Sequence, residues 1–287
     1  MKSNLKLAAL GLMALGLTAG QAEACSTGAW SDTSGAVLAG GPTDPDPGLQ
    51  GVLKLRGACG LQTPASGVAY VEESVNHAAE GGTSPYHARF FVHTGGSSAT
   101  IFQAFPSDVS GTPVVSIAYD SVDQNFDFNV NGGTLSTAAG SAPANRWVAV
   151  YFTYDASTSF TAATRTGRVR SEATGSVTPG AATIEAVRLG QLAGGGTGVF
   201  NFDEFESSRA ASVPSGPDGP FTMVCNGDAN GSGTITAADR AAITAEIAGT
   251  AASGQTDCNE NGSVTAGDRA CVTNLIGTLA DCTSGTF

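Results

Sequence analysis

Hydrophobic and polar residues alternate in several short stretches between residues 86 and 206. Alternation of this kind places every second side chain on one face of a strand. It is clearest where Phe126, Phe128 and Val130 alternate with polar residues before the turn residues Asn131-Gly132-Gly133. The same alternation occurs at 87–92 and 114–119, and 147–154, 184–189 and 199–206 are further short β-type stretches. Because this region has no convincing 3.6-residue period, we predict many short antiparallel strands, as in a β-sandwich or jelly roll.

The hydrophobic pattern changes near the end of the chain. Ile243 and Ile247 lie four residues apart, and the apolar residues Val272, Leu275 and Ile276 have a similar spacing. This spacing predicts one short amphipathic helix at each place. The fold class expected for the chain is therefore mainly β, with a small all-α module after the sandwich.

Residues 211–220 separate the two patterns and hold three prolines and two glycines. This composition is typical of an exposed domain boundary. The chain is therefore divided into a leader at 1–24, a β-sandwich at 25–210, a linker at 211–220 and a small helical module at 221–287.

The first 24 residues have the features of a secretory signal peptide. Lys2 and Lys6 flank the start of an apolar run at 7–18, and Ala22-Glu23-Ala24 forms an A-x-A cleavage pattern. An apolar run of this length is too short to span a bilayer. We expect a secreted, extracellular protein, with a bacterial cell surface or periplasm as the alternatives. Lipidation of Cys25 is not favoured, because leucine is absent from the third position before it.

Two acidic segments align at an offset of 29 residues, DANGSGTITAAD at 228–239 and DCNENGSVTAGD at 257–268. Each places oxygen-bearing residues at alternate positions and glycine at the sixth, as a Ca²⁺ loop requires. We predict two Ca²⁺ sites, with Ile235 and Val264 pairing across the loops. Two carboxylates per loop predict a Kd on the order of 10⁻⁴ M or somewhat tighter. The predicted ligands are Asp228, Asn230, Ser232, Thr234, Thr236 and Asp239 in the first loop, and Asp257, Asn259, Asn261, Ser263, Thr265 and Asp268 in the second.

These two loop–helix repeats, with aspartate at position 12, resemble the type I dockerin module, and the likeness covers about residues 221–287. The resemblance implies an EF-hand-like calcium fold and a cohesin-like or other protein partner. Dockerins often carry polar residues at loop positions 10 and 11. This chain has Ala237-Ala238 and Ala266-Gly267 there, so the identity of the partner stays open.

The predicted sandwich resembles the concanavalin-A-like lectin/glucanase superfamily, in particular laminin-G-like jelly rolls. The resemblance covers most of residues 50–208 and implies a curved sheet that binds glycans or proteins. The stretches that carry it are 86–91, 146–151, 187–190 and 202–205.

The superfamily includes glucanases, which need two suitably placed carboxyl groups. Glu204 and Glu206 would share a strand face, but the residues around them do not match the glucanase pattern. The interrupted alternation between Phe202 and Phe205 predicts a β-bulge instead. We therefore predict no catalytic residue.

Two further groups of side chains are candidate binding residues. His87 and His93 could share a strand face, but no zinc-type spacing supports a metal site, and both are expected to be exposed. Trp147 and Tyr151 share the face opposite Val150. They could form a platform for sugar rings, although packing against other residues is the stronger interpretation.

The composition of the chain argues against nucleic-acid binding and against a membrane span. The formal net charge is −12, and only 13% of residues are charged, so phosphate contacts of the kind that nucleic acid requires are not expected. Outside the leader, no apolar stretch is long enough to span a membrane.

All six cysteines follow residue 24, which suggests three disulfides in an oxidising compartment. The expected pairs are Cys25–Cys59, Cys225–Cys282 and Cys258–Cys271, the last two being one of three connectivities for the four late cysteines.

These features predict a secreted, non-catalytic protein that binds carbohydrate or a surface through its sandwich and Ca²⁺ through a dockerin-like module. The alternative is a polysaccharide-degrading enzyme or accessory subunit tethered through that module. A structural adhesion or envelope protein is the third hypothesis.

Overall fold

The computed structural model describes residues 27, 30–39, 50–55, 59–74, 85–95, 97–107, 109–166, 169–193, 198–209, 227–230, 232, 234–259 and 263–276. The predicted leader and linker lie outside these residues, so the predicted domain boundaries stay predictions. The described part before residue 210 is almost entirely β, and the described part after it contains two helices. The predicted fold class is confirmed.

Within the described residues, the first sheet contains eight antiparallel strands. In spatial order they are β1 (Asp32–Ser34), β4 (Ala69–Ser74), β14 (Ala186–Ala193), β6 (Ala99–Phe105), β7 (Val115–Asp120), β8 (Asn125–Val130), β9 (Gly133–Ser136) and β13 (Thr174–Gly175).

In the same described part of the chain, the second sheet contains seven antiparallel strands. In spatial order they are β12 (Val169–Glu172), β11 (Ser159–Thr166), β10 (Trp147–Asp155), β5 (Tyr86–His93), β15 (Asn201–Ser208), β3 (Gly60–Gln62) and β2 (Val37–Ala39). A single-turn helix, α1 (Gln50–Leu53), precedes β3 and was not predicted.

The inward faces of the two sheets form one aromatic-rich core. Phe102 from the first sheet stacks on Phe90 at a ring-centroid distance of 5.6 Å and contacts Phe152 edge-on at 5.2 Å. All three rings are buried. Aromatic pairs bury large areas and favour these offset and edge-on geometries, so they hold the two sheets together.

The predicted alternation is confirmed in β7 and β8. The apolar side chains of β8 are all fully buried, and Asn131 and Gly132 after them adopt φ angles of 47° and 83°. Positive φ at both central positions defines the two-residue hairpin turn that Asn-Gly favours. Strand β15 starts two residues later than predicted, because Phe200 exchanges hydrogen bonds with the backbone and hydroxyl of Thr63 outside the regular ladder.

The outer face of the second sheet is largely buried as well. Leu55, just after α1, packs in a small apolar cluster with Phe91, Ala149 and Tyr151 on this face. Strand β5 is therefore buried on both faces, and His93 is only 6% exposed. The expectation that His93 is an exposed strand residue is wrong, because the segment that follows α1 packs on this face.

The C-terminal module consists of α2 (Ala237–Ile247) and α3 (Ala266–Leu275). Ile243 and Val272 are fully buried between them, as predicted, whereas Ile247 is 46% exposed. Ile276 caps the end of α3 and is also exposed. These two isoleucines were wrongly expected on the apolar faces, because the core of so small a module reaches only one turn along each helix.

Ile235 and Val264 are buried in the same small cluster as these helices. Neither residue is assigned to a strand or bridge, so the structure shows packing at these positions and not the predicted miniature sheet.

One predicted disulfide lies within the described residues. Cys258 is bonded to Cys271, which links the second acidic loop to α3 and confirms the prediction. Cys59 is also disulfide-bonded, to a partner outside the described residues. The predicted pairs Cys25–Cys59 and Cys225–Cys282 include such residues and stay predictions.

We predict that replacing Phe102 by alanine lowers the free energy of unfolding by about 3–5 kcal/mol, because it leaves a cavity beside the rings of Phe90 and Phe152. Urea denaturation followed by tryptophan fluorescence measures the change. Val122 is 86% exposed, so V122A serves as the control and should change stability by no more than about 0.5 kcal/mol. A loss for F102A no larger than that of the control would contradict the role assigned to this core.

Candidate functional site

The first acidic loop gathers side-chain oxygens around its own backbone. The Ser232 N–H donates to Asp228 Oδ1 and to Asn230 Oδ1, at 2.9 Å in both cases. The Ser232 hydroxyl lies 3.1 Å from the carbonyl oxygen of Thr234. Loop positions 1, 3, 5 and 7 are thereby brought to one side of the loop, as their alternation predicts.

The aspartate at position 12 closes this loop and starts α2 at the same time. Asp239 Oδ1 accepts from the Asn230 N–H at 3.1 Å, and Oδ2 accepts from the Thr236 N–H at 2.7 Å. Thr236 in turn caps α2, because its hydroxyl accepts from the Ala238 N–H at 3.2 Å. This reciprocal arrangement is a capping box, which satisfies N–H groups that a helix start leaves unpaired.

The second loop repeats the geometry closely. Asp268 Oδ1 accepts from the Asn259 N–H at 3.2 Å, and Oδ2 accepts from the Thr265 N–H at 2.7 Å. The Thr265 hydroxyl accepts from the Gly267 N–H at 3.1 Å. The internal repeat in the sequence is therefore also a structural repeat.

Both loops contain deeply buried carboxylates. Asp239 and Asp268 are fully buried, and Asp228 and Asp257 are 2% and 3% exposed. The donors that Asp239 and Asp268 receive are backbone N–H and hydroxyl groups, all of them neutral. A buried anion needs a cation or a comparable compensation. An oxygen-only donor set with two carboxylates fits Ca²⁺, so these residues are suited to hold it.

The net negative charge of the module also favours the binding of cations. Residues 221–287 contain seven Asp and Glu against two Arg, Arg240 and Arg269. Both arginines are exposed, whereas four of the acids are the buried loop aspartates. Two divalent cations would bring the module close to neutrality.

Most of the predicted ligands lie within the described residues and in the expected loops. Asn261 and the glycines at loop position 6, Gly233 and Gly262, lie outside them. In the part of the chain that the structure describes, no group of three or more His, Cys, Asp or Glu side chains could hold a metal ion. A Ca²⁺ site in either loop would combine its two carboxylates with amide, hydroxyl and carbonyl oxygens, and the ligand assignment stays a prediction.

A second candidate site is a cavity of about 260 Å³ at the edge of the second sheet. Its lining includes the indole of Trp30, which lies 5.2 Å from the ring of Phe205, and the acidic residues of β15. An apolar cavity with a few polar groups is the usual form of a small-molecule site. Trp30 was not singled out in the sequence, because it lies outside the alternating stretches.

The predicted β-bulge forms one wall of this cavity. The register of β15 against β5 shifts between Asp203 and Glu206, and Glu204 has a φ of 54°. Asp203 Oδ2 accepts from the Leu55 N–H at 2.9 Å, and Glu206 forms an ion pair with buried Arg89 at 3.0 Å. The bulge is confirmed, and it brings three acidic residues to the cavity.

The candidate platform on the outer face is largely covered. Tyr151 is 5% exposed, and Trp147 contacts the ring of His93 edge-on at 5.5 Å. These side chains therefore pack against other residues, as the stronger interpretation predicted. His87 lies on the same face, with Nδ1 3.0 Å from the hydroxyl of Thr153.

A buried ion pair between the two regions was missed entirely. Lys54 Nζ lies 3.2 Å from Glu246 Oε1, and the two side chains are 3% and 4% exposed. Two signals could have pointed to it. Lys54 is the only lysine after residue 6, and Glu246 lies three residues after Ile243, on the apolar face of α2.

The C-terminal geometry defines a class: paired loop–helix repeats whose position-12 aspartates cap the following helix. Residues 226–277 match the dockerin type I domain, and this part of the chain is a dockerin module. Modules of this type bind calcium. No curated protein matches the chain.

Solved structures that are similar to part of the chain include two toxin receptor-binding domains and a sialidase. The receptor-binding domain of botulinum neurotoxin C/D mosaic serotype has a TM-score of 0.39 and 9% identity over 54% of this chain and 41% of its own. The botulinum neurotoxin type G receptor-binding domain has a TM-score of 0.39 and 9% identity over 61% and 41%. Trypanosoma rangeli sialidase has a TM-score of 0.36 and 12% identity over 53% and 26%. The chain thus spans less than half the length of each.

Among the described residues, no helix combines the length and the apolar character needed to cross a membrane.

We expect full-length oxidised protein to bind two Ca²⁺ ions, and D239N to bind one, because the substitution removes one of only two charges in its loop. Isothermal titration calorimetry measures the stoichiometry. Asp123 is an exposed sandwich carboxylate, so D123N should still bind two ions. An unchanged stoichiometry in D239N would contradict the assignment of Asp239.

The buried histidine predicts a pH dependence of stability. Burial lowers the pKa of His93 from 6.5 to about 4, with Arg146 acting in the same direction and the Asn145 backbone against it. The unfolded chain therefore binds more protons between pH 6.5 and 4, so stability is full above this window and falls as the pH falls through it. The loss attributable to His93 is on the order of 3 kcal/mol.

Urea denaturation at pH 7.5 and pH 5 tests this dependence. H93Q lacks the titrating group, so its stability should change less between the two pH values than that of the wild type. An equal change in both proteins would exclude His93 as the source.

Proposed function

We propose that this protein is a secreted, non-catalytic recognition protein. In this proposal the β-sandwich binds a carbohydrate or a carbohydrate-bearing surface, and the calcium-loaded dockerin module attaches it to a cohesin-like partner. The single observation that carries the proposal is the pair of matching loops, whose buried aspartates receive only neutral donors at position 12.

In this proposal, calcium stabilises the folded dockerin module and thereby supports its attachment to the partner. The oxygens that would hold it come from positions between the first and the twelfth residue of each loop, and these residues converge only when the module is folded. Calcium binding therefore favours the folded module by mass action. The proposed role of the ion is structural and involves no chemistry on a substrate.

The docking surface of the module is formed by small residues. Ala237, Ala238, Ala266 and Gly267 occupy loop positions 10 and 11 and are all exposed at the starts of α2 and α3. Small exposed side chains allow a partner's backbone to approach closely and provide few polar contacts. Recognition by shape and apolar contact is the mode that these residues support.

The cavity beside Trp30 is the proposed carbohydrate site. An exposed portion of an indole offers an apolar face for a sugar ring, and neighbouring carboxylates accept hydrogen bonds from hydroxyl groups. Trp30 remains partly exposed above Phe205, with Glu204 and Glu206 in the same cavity. The cavity therefore provides both kinds of contact in one place.

A polysaccharide-degrading activity is the second candidate function, favoured by the three acidic residues at the cavity. A retaining glycosidase needs one carboxylate as nucleophile and another as acid. Asp203 instead accepts hydrogen bonds from two backbone N–H groups, and Glu206 is paired with Arg89. These bonds support structural roles for two of the three acids, and we therefore prefer binding over catalysis.

Affinity electrophoresis through gels that contain soluble polysaccharides tests the proposal. We expect retardation of the wild type by at least one of β-glucan, xylan or mannan, and loss of that retardation in W30A, which removes the apolar face. W147A is the matched control, because Trp147 lies in the covered outer cluster, and its retardation should persist.

Release of reducing sugar from the same polysaccharides distinguishes the two candidates. We expect no release. A release that E204Q abolishes would replace the binding proposal by the enzymatic one. Absence of any retardation would overturn the carbohydrate part of the proposal and leave the calcium part to the calorimetric test.

A further inference from the structure

We propose that the ion pair between Lys54 and Glu246 couples calcium binding in the dockerin module to the stability of the β-sandwich. The inference rests on the proposed calcium binding and goes beyond it, because it makes the two modules one energetic unit. Modules joined only by a flexible linker would unfold independently of each other.

The ion pair is buried to a degree that is unusual between modules. Its nitrogen and oxygen atoms lie 3.2 Å apart, and both side chains are at least 96% buried. Lysine and glutamate are almost never fully buried unless they are paired. Each side chain is therefore stabilised in its buried position by the opposite charge of the other.

The sign of the energetic effect follows from this burial. Removing one partner of a buried pair leaves an uncompensated charge, whereas replacing both by apolar residues of similar size is often neutral. A displacement of Glu246 would leave the Lys54 ammonium buried without this counter-charge. The sandwich would then be less stable, although none of its own residues had changed.

Glu246 is connected to the first calcium loop through short hydrogen bonds. Its Oε2 accepts from the Ala252 N–H at 3.1 Å. Two residues later, the Gly254 and Gln255 N–H groups donate to the carbonyl oxygens of Ala229 and Asp228, each at 2.9 Å. Asp228 is loop position 1, so the order of this loop bears directly on the position of Glu246.

Lys54 is connected to the sandwich in a comparable way. The next residue, Leu55, donates its N–H to Asp203 Oδ2 at 2.9 Å and packs against Phe91 and Tyr151 on the outer face of the second sheet. Asp203 also accepts from the Glu204 N–H at 2.8 Å, at the bulge of β15. The ion pair is therefore fixed to a central strand and to the wall of the cavity.

Tryptophan fluorescence reports the coupling without interference from the dockerin module. The chain has two tryptophans, Trp30 and Trp147, and both belong to the sandwich. Urea unfolding of residues 25–287, with disulfides intact, is followed at about 10 mM Ca²⁺ and in excess chelator. That calcium concentration is about 100 times the Kd expected for such loops.

We expect chelation to lower the urea midpoint of the tryptophan transition by about 1 M in the wild type. This shift corresponds to the stabilisation that one site supplies at a hundredfold ligand excess and to a typical denaturant slope. In the double variant K54M/E246L, the midpoint should become independent of calcium. The double substitution removes both charges of this pair together.

Arg170 and Glu172 form an ion pair within the sandwich that is partly exposed, so R170Q/E172Q is the control and should keep the full calcium-dependent shift. Calorimetry on the same samples separates the two proposals. If calcium binds but the wild-type midpoint does not move, or if K54M/E246L keeps the shift, the coupling is wrong. If no calcium binds, the proposed function fails and the coupling with it.

Discussion

Burying a carboxylate removes its hydration, and the protein must replace that hydration with a cation or with hydrogen bonds. This requirement governs much of the structure, because only 13% of the residues are charged and several of those are buried. Within the sandwich, Arg188 compensates Glu72 at 3.0 Å, and Arg89 compensates Glu206 at the same distance. Between the modules Lys54 compensates Glu246. In the acidic loops the position-12 aspartates accept hydrogen bonds from neutral donors, and a bound cation would add the opposite charge.

The sequence predicted those parts of the fold that depend on local alternation. Phe126, Phe128 and Val130 point inward because a strand with one buried face needs apolar residues at every second position. The bulge near Glu204 could be anticipated for the same reason, since Phe202 and Phe205 can both reach the core only if the register shifts. In these segments the local alternation of apolar residues is sufficient to predict which side chains pack in the core.

The parts that escaped prediction depend on contacts between distant segments. His93 has the position of an exposed residue in its strand, but Leu55, 38 positions earlier, packs against Phe91 on the same face, and Trp147 contacts the imidazole ring. The pair of Lys54 and Glu246 joins residues 192 positions apart, and no local period reports such a contact. The sequence contains only two indications of this contact. Lys54 is the one lysine beyond the leader, and Glu246 is an acidic residue on the apolar face of α2.

The calcium loops show how a short motif can control a longer element. Because Asp239 closes the first loop and also belongs to the capping box of α2, loop closure and helix initiation are one event. Glu246 lies seven residues further along the same helix, about 10 Å from Asp239 along the axis and on the same buried face. An aspartate at position 12 is short enough to reach the N–H groups of positions 3 and 9, so it orders the helix whose far end meets the sandwich. An EF-hand usually has glutamate at position 12. In this chain Asp239 occupies that position, and it links the order of the loop to the order of α2.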